Sequence, residues 1–342
     1  MIPLLNVKNA TKRFRVRGTG LRKEEMIAVK EFGFRVYEDH PRITAIAGES
    51  GSGKTTLARM MLGFHEPDDG SVEYRGVPLE ELDRDGRRRY RTDIQAVFQD
   101  PFEVYNPYYR VDHILEMPLR KFGIATHRVD IRERIDEALR TVGLRPEETL
   151  GRFPHQISGG QRQRTMIARA LLLNPKLIVA DEPVSMVDAS LRATILDKLL
   201  RLNKDLGISL MYVTHDLTTA YQLCDDIVIL YQGRVVEAGD VESVIKSPKH
   251  PYTQLLIRSI PLPDPDKSWG DPEDKLSATE EKGRGCPFAD RCPDVMDRCR
   301  ESEPPLYRTG DTHAVRCYLH DEVPTVADMS EVLGSSPEEP EA

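Results

Sequence analysis

The segment GESGSGKT, at residues 48–55, has the residue types and the spacing of a phosphate-binding loop. Its glycines allow the backbone to wrap so that successive N–H groups point at phosphate oxygens. Lys54 would supply a mobile positive charge to the β- and γ-phosphates of a nucleotide, and the Thr55 hydroxyl would coordinate Mg²⁺. An apolar run, ITAIAG, precedes the loop and a helical pattern follows it, which is the context that such a loop requires. We therefore predict nucleotide contacts for Gly48, Ser50, Gly51, Gly53, Lys54, Thr55 and Thr56.

A second apolar run, LIVADE at residues 177–182, ends in two carboxylates. Asp181 would hold Mg²⁺ directly or through water, and Glu182 would lie beside the γ-phosphate, where it could polarise the attacking water. Phosphoryl transfer depends on positioning and charge neutralisation more than on covalent chemistry, so such a pair suits it. Taken alone, the same letters are equally typical of a strand that ends in a solvated acidic turn. The phosphate-binding loop upstream favours the catalytic interpretation.

A third segment, ISGGQRQR at residues 157–164, leads into the apolar helix pattern MIARALLL. Its backbone N–H groups and the start of the helix could hold a second anion. A chain that already has a phosphate-binding loop has no obvious internal use for another, so an intermolecular use is the natural inference. The residues concerned are Ser158, Gly159, Gly160 and Gln161.

These segments need regular elements to position them. Short alternating runs over residues 1–40 predict antiparallel strands, and the pattern from about residue 85 to 170 is mostly helical. KLIVADEP and ISLMYVTHD are typical of buried strands, and SLRATILDKLLRLNKDLG between them predicts an amphipathic helix. Strands that alternate with helices predict an α/β fold with a largely parallel sheet.

With these motifs in this order, the chain resembles the nucleotide-binding subunits of ATP-binding cassette (ABC) transporters over roughly residues 4–260. The resemblance implies an ABC-type P-loop domain with a RecA-like core, an antiparallel β subdomain and a helical signature subdomain. It also implies that the Ser-Gly-Gly signature contacts the γ-phosphate of ATP bound on a partner subunit. ATP would then lie at a dimer interface, and hydrolysis would require a second cassette subunit.

Further positions match the motifs of that family one by one. Gln99, in VFQDP, matches the glutamine that contacts Mg²⁺, senses the γ-phosphate and faces the membrane partner. His215, in VTHD, matches the switch histidine that contacts the γ-phosphate. Asp188, in SMVDAS, matches the D-loop aspartate, although the family more often has SALD there. The resemblance implies catalytic roles for Glu182, His215 and Gln99.

The adenine-stacking aromatic is less well defined by the sequence. Phe14, in TKRF, is the candidate that the resemblance suggests, but Phe34 and Tyr37 are also aromatic and nearby. A buried strand aromatic is an equally good interpretation of Phe14.

Four of the five cysteines, spaced C-x5-C-x6-C-x17-C, follow the segment SPKHPYTQLLIRSIP. This resembles the C-terminal extension of the oligopeptide/dipeptide branch of ABC importers, where the cysteines of some members carry a [4Fe–4S] cluster. The spacing lacks the tight C-x2–4-C pairs of structural zinc sites, and four thiolates are the usual ligands of such a cluster. Zinc and reduced thiols without a metal remain alternatives. The cysteines concerned are Cys286, Cys292, Cys299 and Cys317.

Composition divides the chain into several regions. We predict an ATPase domain over residues 1–262, with its helical subdomain at about 85–165, and a Pro-, Gly- and charge-rich linker over 263–284. A small Cys-rich extension over 285–320 follows, too short to bury a core of its own, so that a bound metal would act as a structural staple. Residues 321–342 contain seven acids and no Lys or Arg, which predicts an acidic disordered tail.

The resemblance therefore implies the ATP-hydrolysing subunit of an importer, with ATP and Mg²⁺ as cofactors. The expected partners are a second cassette subunit, more often a paralogue than a copy in this branch, two membrane permeases, and an extracytoplasmic binding protein. The net charge of −8 comes mostly from the tail and gives no case for a nucleic-acid partner. No apolar run approaches the roughly 20 residues that span a bilayer. The resemblance implies a peripheral protein on the cytoplasmic face of the cell membrane.

The resemblance implies di- or oligopeptides as the transported substrate, with oligosaccharides or nickel as alternatives. A soluble ABC ATPase of DNA repair or translation is less compatible, because the chain has one cassette and no room for a long coiled coil. A third interpretation makes the cysteine segment the main function of the protein, as a redox or metal sensor, with the ATPase in a regulatory role.

Overall fold

The structure is a computed structural model that describes residues 2–17, 23–99, 105–185, 187, 189–260 and 285–333. The strands within these ranges are β1 (Leu5–Arg17), β2 (Lys23–Val36), β3 (Ile43–Ala47), β4 (Asp69–Tyr74), β5 (Val77–Pro78), β6 (Ile94–Val97), β7 (Leu177–Asp181), β8 (Ser209–Thr214), β9 (Asp226–Tyr231), β10 (Arg234–Asp240), β11 (Tyr307–Gly310) and β12 (His313–Val315). The α-helices within them are α1 (Lys54–Met61), α2 (Arg84–Asp93), α3 (Val111–Lys121), α4 (Arg128–Thr141), α5 (Pro146–Thr149), α6 (Gly159–Leu171), α7 (Ala189–Leu206), α8 (Leu217–Leu223), α9 (Val241–Lys246), α10 (Pro251–Arg258) and α11 (Asp297–Glu301).

The strands form two sheets. The smaller sheet is antiparallel, with the strand order β2-β1-β4-β5, and it contains the strands that the alternating pattern of residues 1–40 predicts. The larger sheet has the order β11-β12-β10-β9-β3-β8-β7-β6. Its strands β6 to β9 and β3 pair in parallel, as the alternation of strands and helices predicts.

The central strands of the larger sheet are covered on both faces. Every residue of β3, β7, β8 and β9 is buried, which is typical of a parallel sheet between two layers. Ile178 and Ala180 belong to one hydrophobic cluster, and Leu177 and Val179 belong to another. The alternation follows from the two-residue period of a strand, so each face has its own core.

Helices α3, α4 and α6 pack against one another and make up most of the predicted helical subdomain. In α4 the buried residues Ile131, Ile135 and Leu139 recur every fourth position, which gives the helix one apolar stripe. The mostly helical pattern over 85–170 hides β6, a four-residue strand that joins the main sheet beside β7. Four residues are too few for a strand period to show in a sequence. No helix in the described ranges is long and apolar enough to span a bilayer.

The segment after residue 285 is joined to the main sheet, because β12 pairs antiparallel with β10. Glu237 of β10 is fully buried and accepts hydrogen bonds from the backbone N–H groups of Lys249, at 2.6 Å, and His250, at 2.9 Å. Its carboxylate also lies 2.7 Å from Nε2 of His313 on β12. A buried carboxylate is costly unless such partners surround it, so these contacts fasten both the turn at 249–250 and β12 to the sheet. The predicted linker, 263–284, lies outside the described residues.

The prediction of a disordered tail over 321–342 is wrong for residues 321–333. Met329 is 2% exposed and Val332 is fully buried, and both belong to the cluster that β1 and β2 form. The backbone also pairs with β11 and its flank, through Arg308 N–H to Pro324 O at 2.8 Å and Val326 N–H to Leu306 O at 2.9 Å. Acidic residues dominate the composition of this segment. Met329 and Val332, three residues apart, nevertheless pack into the same hydrophobic cluster and order the segment.

We expect Met329→Ala to lower the free energy of unfolding by about 2–5 kcal/mol, because it removes a buried side chain from a packed cluster. Urea denaturation followed by circular dichroism measures the change. Glu322→Ala, at an exposed position of the same segment, is the control and should leave the midpoint unchanged. Equal midpoints for both variants would contradict the packing of this segment.

Candidate nucleotide-binding site

The phosphate-binding loop follows the carboxyl end of β3 and leads into α1. Gly48 and Gly53 have φ angles of 148° and 104°. A Cβ atom on Gly48 would lie 2.2 Å from the carbonyl oxygen of Leu230, and one on Gly53 would lie 2.2 Å from that of Ala28. Any side chain at these two positions would therefore collide with β9 or β2, which explains the glycines physically.

Lys54 begins α1, and its side chain turns back into the loop. Its Nζ donates hydrogen bonds to the carbonyl oxygens of Gly48 and Glu49, both at 2.8 Å. Burial lowers the pKa of Lys54, while the charges of Glu182, Asp181 and Glu49 act in the opposite direction. The ammonium group thus lies within the loop, where a contact with bound phosphates would require it.

Asp181, the last residue of β7, is hydrogen-bonded to the Thr55 side chain at the start of α1. Burial raises the pKa of Asp181, and the Thr55 hydrogen bond and the charge of Lys54 oppose this effect. Carboxylate and hydroxyl oxygens are ligands that Mg²⁺ prefers. The two residues predicted from separate motifs to hold Mg²⁺ are therefore in contact, and they fit that ion.

The three predicted catalytic residues meet at the Glu182 carboxylate. Gln99 Nε2 donates to Glu182 Oε2 at 2.9 Å, and His215 Nδ1 lies 3.0 Å from Glu182 Oε1. Glu182 has a φ of 46°, a left-handed conformation that is costly for a side chain of this type, and its N–H donates to Val213 O at 2.9 Å. Backbone strain of this kind is concentrated at functional sites, where surrounding contacts maintain it.

The Ser-Gly-Gly signature lies at the start of α6. The Ser158 hydroxyl accepts from Gln161 N–H at 3.2 Å, and Gln161 Oε1 accepts from Ser158 N–H at 2.8 Å, which is a capping box. A Cβ on Gly160 would lie 2.6 Å from Leu191 Cδ1, so α6 and α7 approach closely here. Within the described ranges, no hydrogen bond joins residues 158–161 to the phosphate-binding loop of the same chain.

Two family models match the chain. Residues 30–185 match the ABC transporter model, and residues 236–299 match the C-terminal region of oligopeptide/dipeptide transporters. The chain is 38% identical over 294 residues to the oligopeptide transport ATP-binding protein OppF of Salmonella typhimurium, covering 85% of this chain and 87% of that protein. The chain belongs to the ABC transporter family.

Other relatives support the same assignment of this ABC protein. It is 36% identical over 321 residues to the di/tripeptide transport ATP-binding protein DppF of Pseudomonas aeruginosa, covering 93% of this chain and 98% of that one. A dimeric post-hydrolysis structure of the ATP-binding cassette MJ0796, bound to ADP and Pi, superposes with a TM-score of 0.61 at 30% identity, over 69% of this chain and 98% of the other. The cassette fold and ATP hydrolysis follow from this membership.

Two further predicted nucleotide contacts of this ABC subunit have different outcomes. Asp188 lies outside the described residues. Phe14 lies on β1, where its ring contacts His65 edge-on with the centroids 5.5 Å apart. Its competitors are less suitable for stacking, because Phe34 is only 4% exposed and Tyr37 lines a cavity at the amino ends of β7 and β8, away from the loop. Phe14 stays the predicted adenine contact.

The four cysteines near the C-terminus line one small cavity. None of these four is in a disulfide, and burial raises the pKa of Cys286 to about 11 and that of Cys317 to about 12. The sulfur atoms of Cys286, Cys292 and Cys317 each accept a hydrogen bond from the N–H two residues further on. In the part of the chain that the structure describes, no group of three or more His, Cys, Asp or Glu is arranged to hold a metal ion.

The sequence motifs do not reveal that residues from the C-terminal part of the chain bind the phosphate-binding loop. Glu49 N–H donates to the Tyr252 hydroxyl at 2.9 Å, and the Glu49 carboxylate accepts two hydrogen bonds from Arg291, both at 3.0 Å. Tyr252 belongs to the HPYT segment and Arg291 directly precedes Cys292. The family resemblance is the only sequence signal that singles out the segments of Tyr252 and Arg291. No periodic pattern predicts their contact with a loop some 200 residues away.

We expect Glu182→Gln to lower kcat for ATP at least about 100-fold, because the amide keeps the shape of the side chain but cannot polarise water as a carboxylate does. Phosphate release at saturating Mg·ATP, with the cassette partner present, measures the loss. Glu38→Gln, in an exposed ion pair with Arg75, is the control and should keep normal turnover. A Glu182→Gln enzyme with more than about a third of normal turnover would rule out this role.

Proposed function

We propose that this ABC subunit energises the import of di- or oligopeptides. The observation that carries the proposal is the match of residues 236–299 to the C-terminal region of oligopeptide/dipeptide transporters. Relatives whose names specify oligopeptide or di/tripeptide transport match over 85% and 93% of the chain. Oligosaccharide or nickel import is the alternative, because an energising subunit does not bind the transported substrate and its residues do not distinguish between substrates.

ATP is sandwiched between two cassettes in the proposed assembly. The Lys54 loop, Thr55, Asp181 and Gln99 hold Mg·ATP from one side, and residues 158–161 of a partner cassette contact the γ-phosphate from the other. The exposed capping box at the start of α6 supports this arrangement, because among the described residues no hydrogen bond joins it to the loop of its own chain. The dimeric state of the cassette MJ0796 supports it too.

Hydrolysis uses the three residues that meet at the Glu182 carboxylate. Glu182 orients and polarises the water, His215 contacts the γ-phosphate, and Gln99 links the site to the surface that faces the permeases. Because hydrogen bonds in one network polarise one another, we expect the three residues to act as a unit. We place the subunit on the cytoplasmic face of the membrane, with two permeases, a paralogous cassette and an extracytoplasmic binding protein.

Peptide transport can be tested in liposomes that contain the permeases, both cassettes and the binding protein. We expect ATP-dependent uptake of a labelled tetrapeptide, and we expect Glu182→Gln to reduce the uptake at least about tenfold. Labelled maltotriose and Ni²⁺, each offered with the same proteins, are the matched controls. Uptake of either of these instead of the peptide would transfer the assignment to the alternative substrate.

We also propose that Cys286, Cys292, Cys299 and Cys317 hold a [4Fe–4S] cluster that staples the C-terminal segment. The shared cavity supports the proposal, and so do the N–H groups directed at three of the sulfurs, which favour thiolates. Burial acts against thiolates, so the positive charge of iron would have to displace the protons. Such a cluster would contribute folding free energy to the segment rather than chemistry to ATP hydrolysis.

Protein purified without oxygen should contain about four irons and four sulfides per chain and a broad absorption band near roughly 400 nm. Cys286→Ser should lose the iron and the band, because it removes one of the four proposed thiolate ligands. Cys224→Ser, at a buried cysteine outside the cavity, should retain both. Stoichiometric zinc would replace the cluster by a zinc site, and absence of both metals would leave free thiols.

A further inference from the structure

Glu49 carries a negative charge inside a loop that binds a polyphosphate. It is the second residue of GESGSGKT, and its charge is one of three that act on the Lys54 ammonium. Its carbonyl oxygen accepts from Lys54 Nζ at 2.8 Å. A free carboxylate here would compete with phosphate for the lysine and repel the nucleotide.

Arg291 neutralises this carboxylate with matched geometry. Its Nη1 and Nη2 atoms donate to Glu49 Oε2 and Oε1, both at 3.0 Å, which is the bidentate arrangement of guanidinium and carboxylate. The Arg291 side chain is 24% exposed and that of Glu49 is 40% exposed, so the pair is partly shielded from solvent. A pair of this kind fixes orientation as well as charge.

The guanidinium is itself held by aromatic side chains. It lies 5.8 Å from the ring of Tyr231 and 5.6 Å from that of Phe288, within the range of cation–π contacts. Tyr252 packs against both rings, with centroid distances of 4.5 Å and 5.5 Å, and its hydroxyl accepts the Glu49 N–H. The backbone and the carboxylate of Glu49 are thus both attached to one cluster.

The position of Arg291 depends on the turn between the first two cysteines of the segment. The turn is closed by hydrogen bonds from Ala289 N–H to Cys286 O, at 3.0 Å, and from Cys292 N–H to Ala289 O, at 3.3 Å. Phe288, in the middle of the turn, is 1% exposed and anchors it to the core. The segment that bears the cysteines therefore directs one of its side chains at the phosphate-binding loop.

We propose that Arg291 is a positioning residue for the phosphate-binding loop, through which the cysteine-bearing segment sets the affinity for Mg·nucleotide. Arg291 holds the Glu49 carboxylate in a neutral pair and leaves Lys54 available to phosphate. The inference rests on nucleotide binding by an ABC cassette. It depends neither on a peptide substrate nor on a cluster.

The test is a cycle of substitutions in the full chain, with Kd measured by the fluorescence anisotropy of a non-hydrolysable fluorescent ATP analogue and Mg²⁺. We expect Arg291→Ala to raise Kd about fivefold, as for the loss of a partly exposed charge-assisted pair. Glu49→Gln should stay within about twofold of the unchanged chain, because it removes the repelling charge together with the pair. The double variant should bind better than Arg291→Ala alone, since no unpaired carboxylate is left.

The control is Arg298→Ala, which removes an ion pair of the same segment with Asp321, outside this turn, and should leave Kd unchanged. Arg291→Lys should restore part of the affinity because it keeps the charge without the bidentate geometry. In the assembled transporter, KM for ATP should rise in Arg291→Ala with kcat at saturation unchanged. A higher KM with an unchanged kcat distinguishes a positioning role of Arg291 from a loss of fold, because a loss of fold would lower kcat as well.

An unchanged Kd in Arg291→Ala would overturn the proposal. A double variant with a Kd equal to or higher than that of Arg291→Ala would also overturn it. If both substitutions only damaged the structure, their losses of affinity would add. Should Arg291→Ala fail to fold, the comparison of Arg291→Lys with Arg291→Lys/Glu49→Gln decides in the same way. Rescue by the second change supports the proposal, and further loss contradicts it.

Discussion

Parallel pairing of neighbouring strands is the constraint on which the nucleotide site depends. The order β3-β8-β7-β6 places the carboxyl ends of four strands at one edge of the sheet. The phosphate-binding loop follows β3, His215 follows β8, Glu182 follows β7 and Gln99 follows β6. Gln99 and His215, on either side of Glu182 in the chain, therefore meet at its carboxylate. The hydrophobic cores on the two faces hold the strands, and the site inherits their rigidity.

The site itself is built around charges that restrain one another. Burial would discharge both Lys54 and Asp181, but each lies within the field of the other, and Thr55 donates to the carboxylate. The Glu182 backbone is strained, with its N–H tied to β8 and its carboxylate shared by Gln99 and His215. A site of this kind is preorganised for phosphate and Mg²⁺. Phosphate would take the place of the carboxylates around Lys54, and Mg²⁺ would take the place of the cation near Asp181.

The C-terminal segment is continuous with the cassette rather than an appendage. Buried Glu237 binds both the turn before α10 and His313 of β12, and β12 extends the main sheet. Arg291 of this segment and Tyr252 of α10 both contact Glu49, which follows β3. His250 caps α10 in this arrangement, because its Nδ1 accepts a hydrogen bond from Tyr252 N–H at 3.0 Å. The HPYT residues therefore fix the hydroxyl that holds the phosphate-binding loop.

By itself the sequence determined the chemistry of this protein. GESGSGKT and LIVADE are local patterns in which residue type and spacing already predict phosphate and Mg²⁺ contacts, and ISGGQRQR predicts the start of a helix. The buried strands were predictable because their apolar runs are continuous. Tertiary structure alone decided that β6 is a strand, since pairing with β7 rather than any local pattern stabilises it. It also decided that Met329 and Val332 order an acidic segment, and that Arg291 pairs with Glu49. Burial and long-range ion pairs depend on which surfaces meet in three dimensions, and no local pattern in the sequence encodes that.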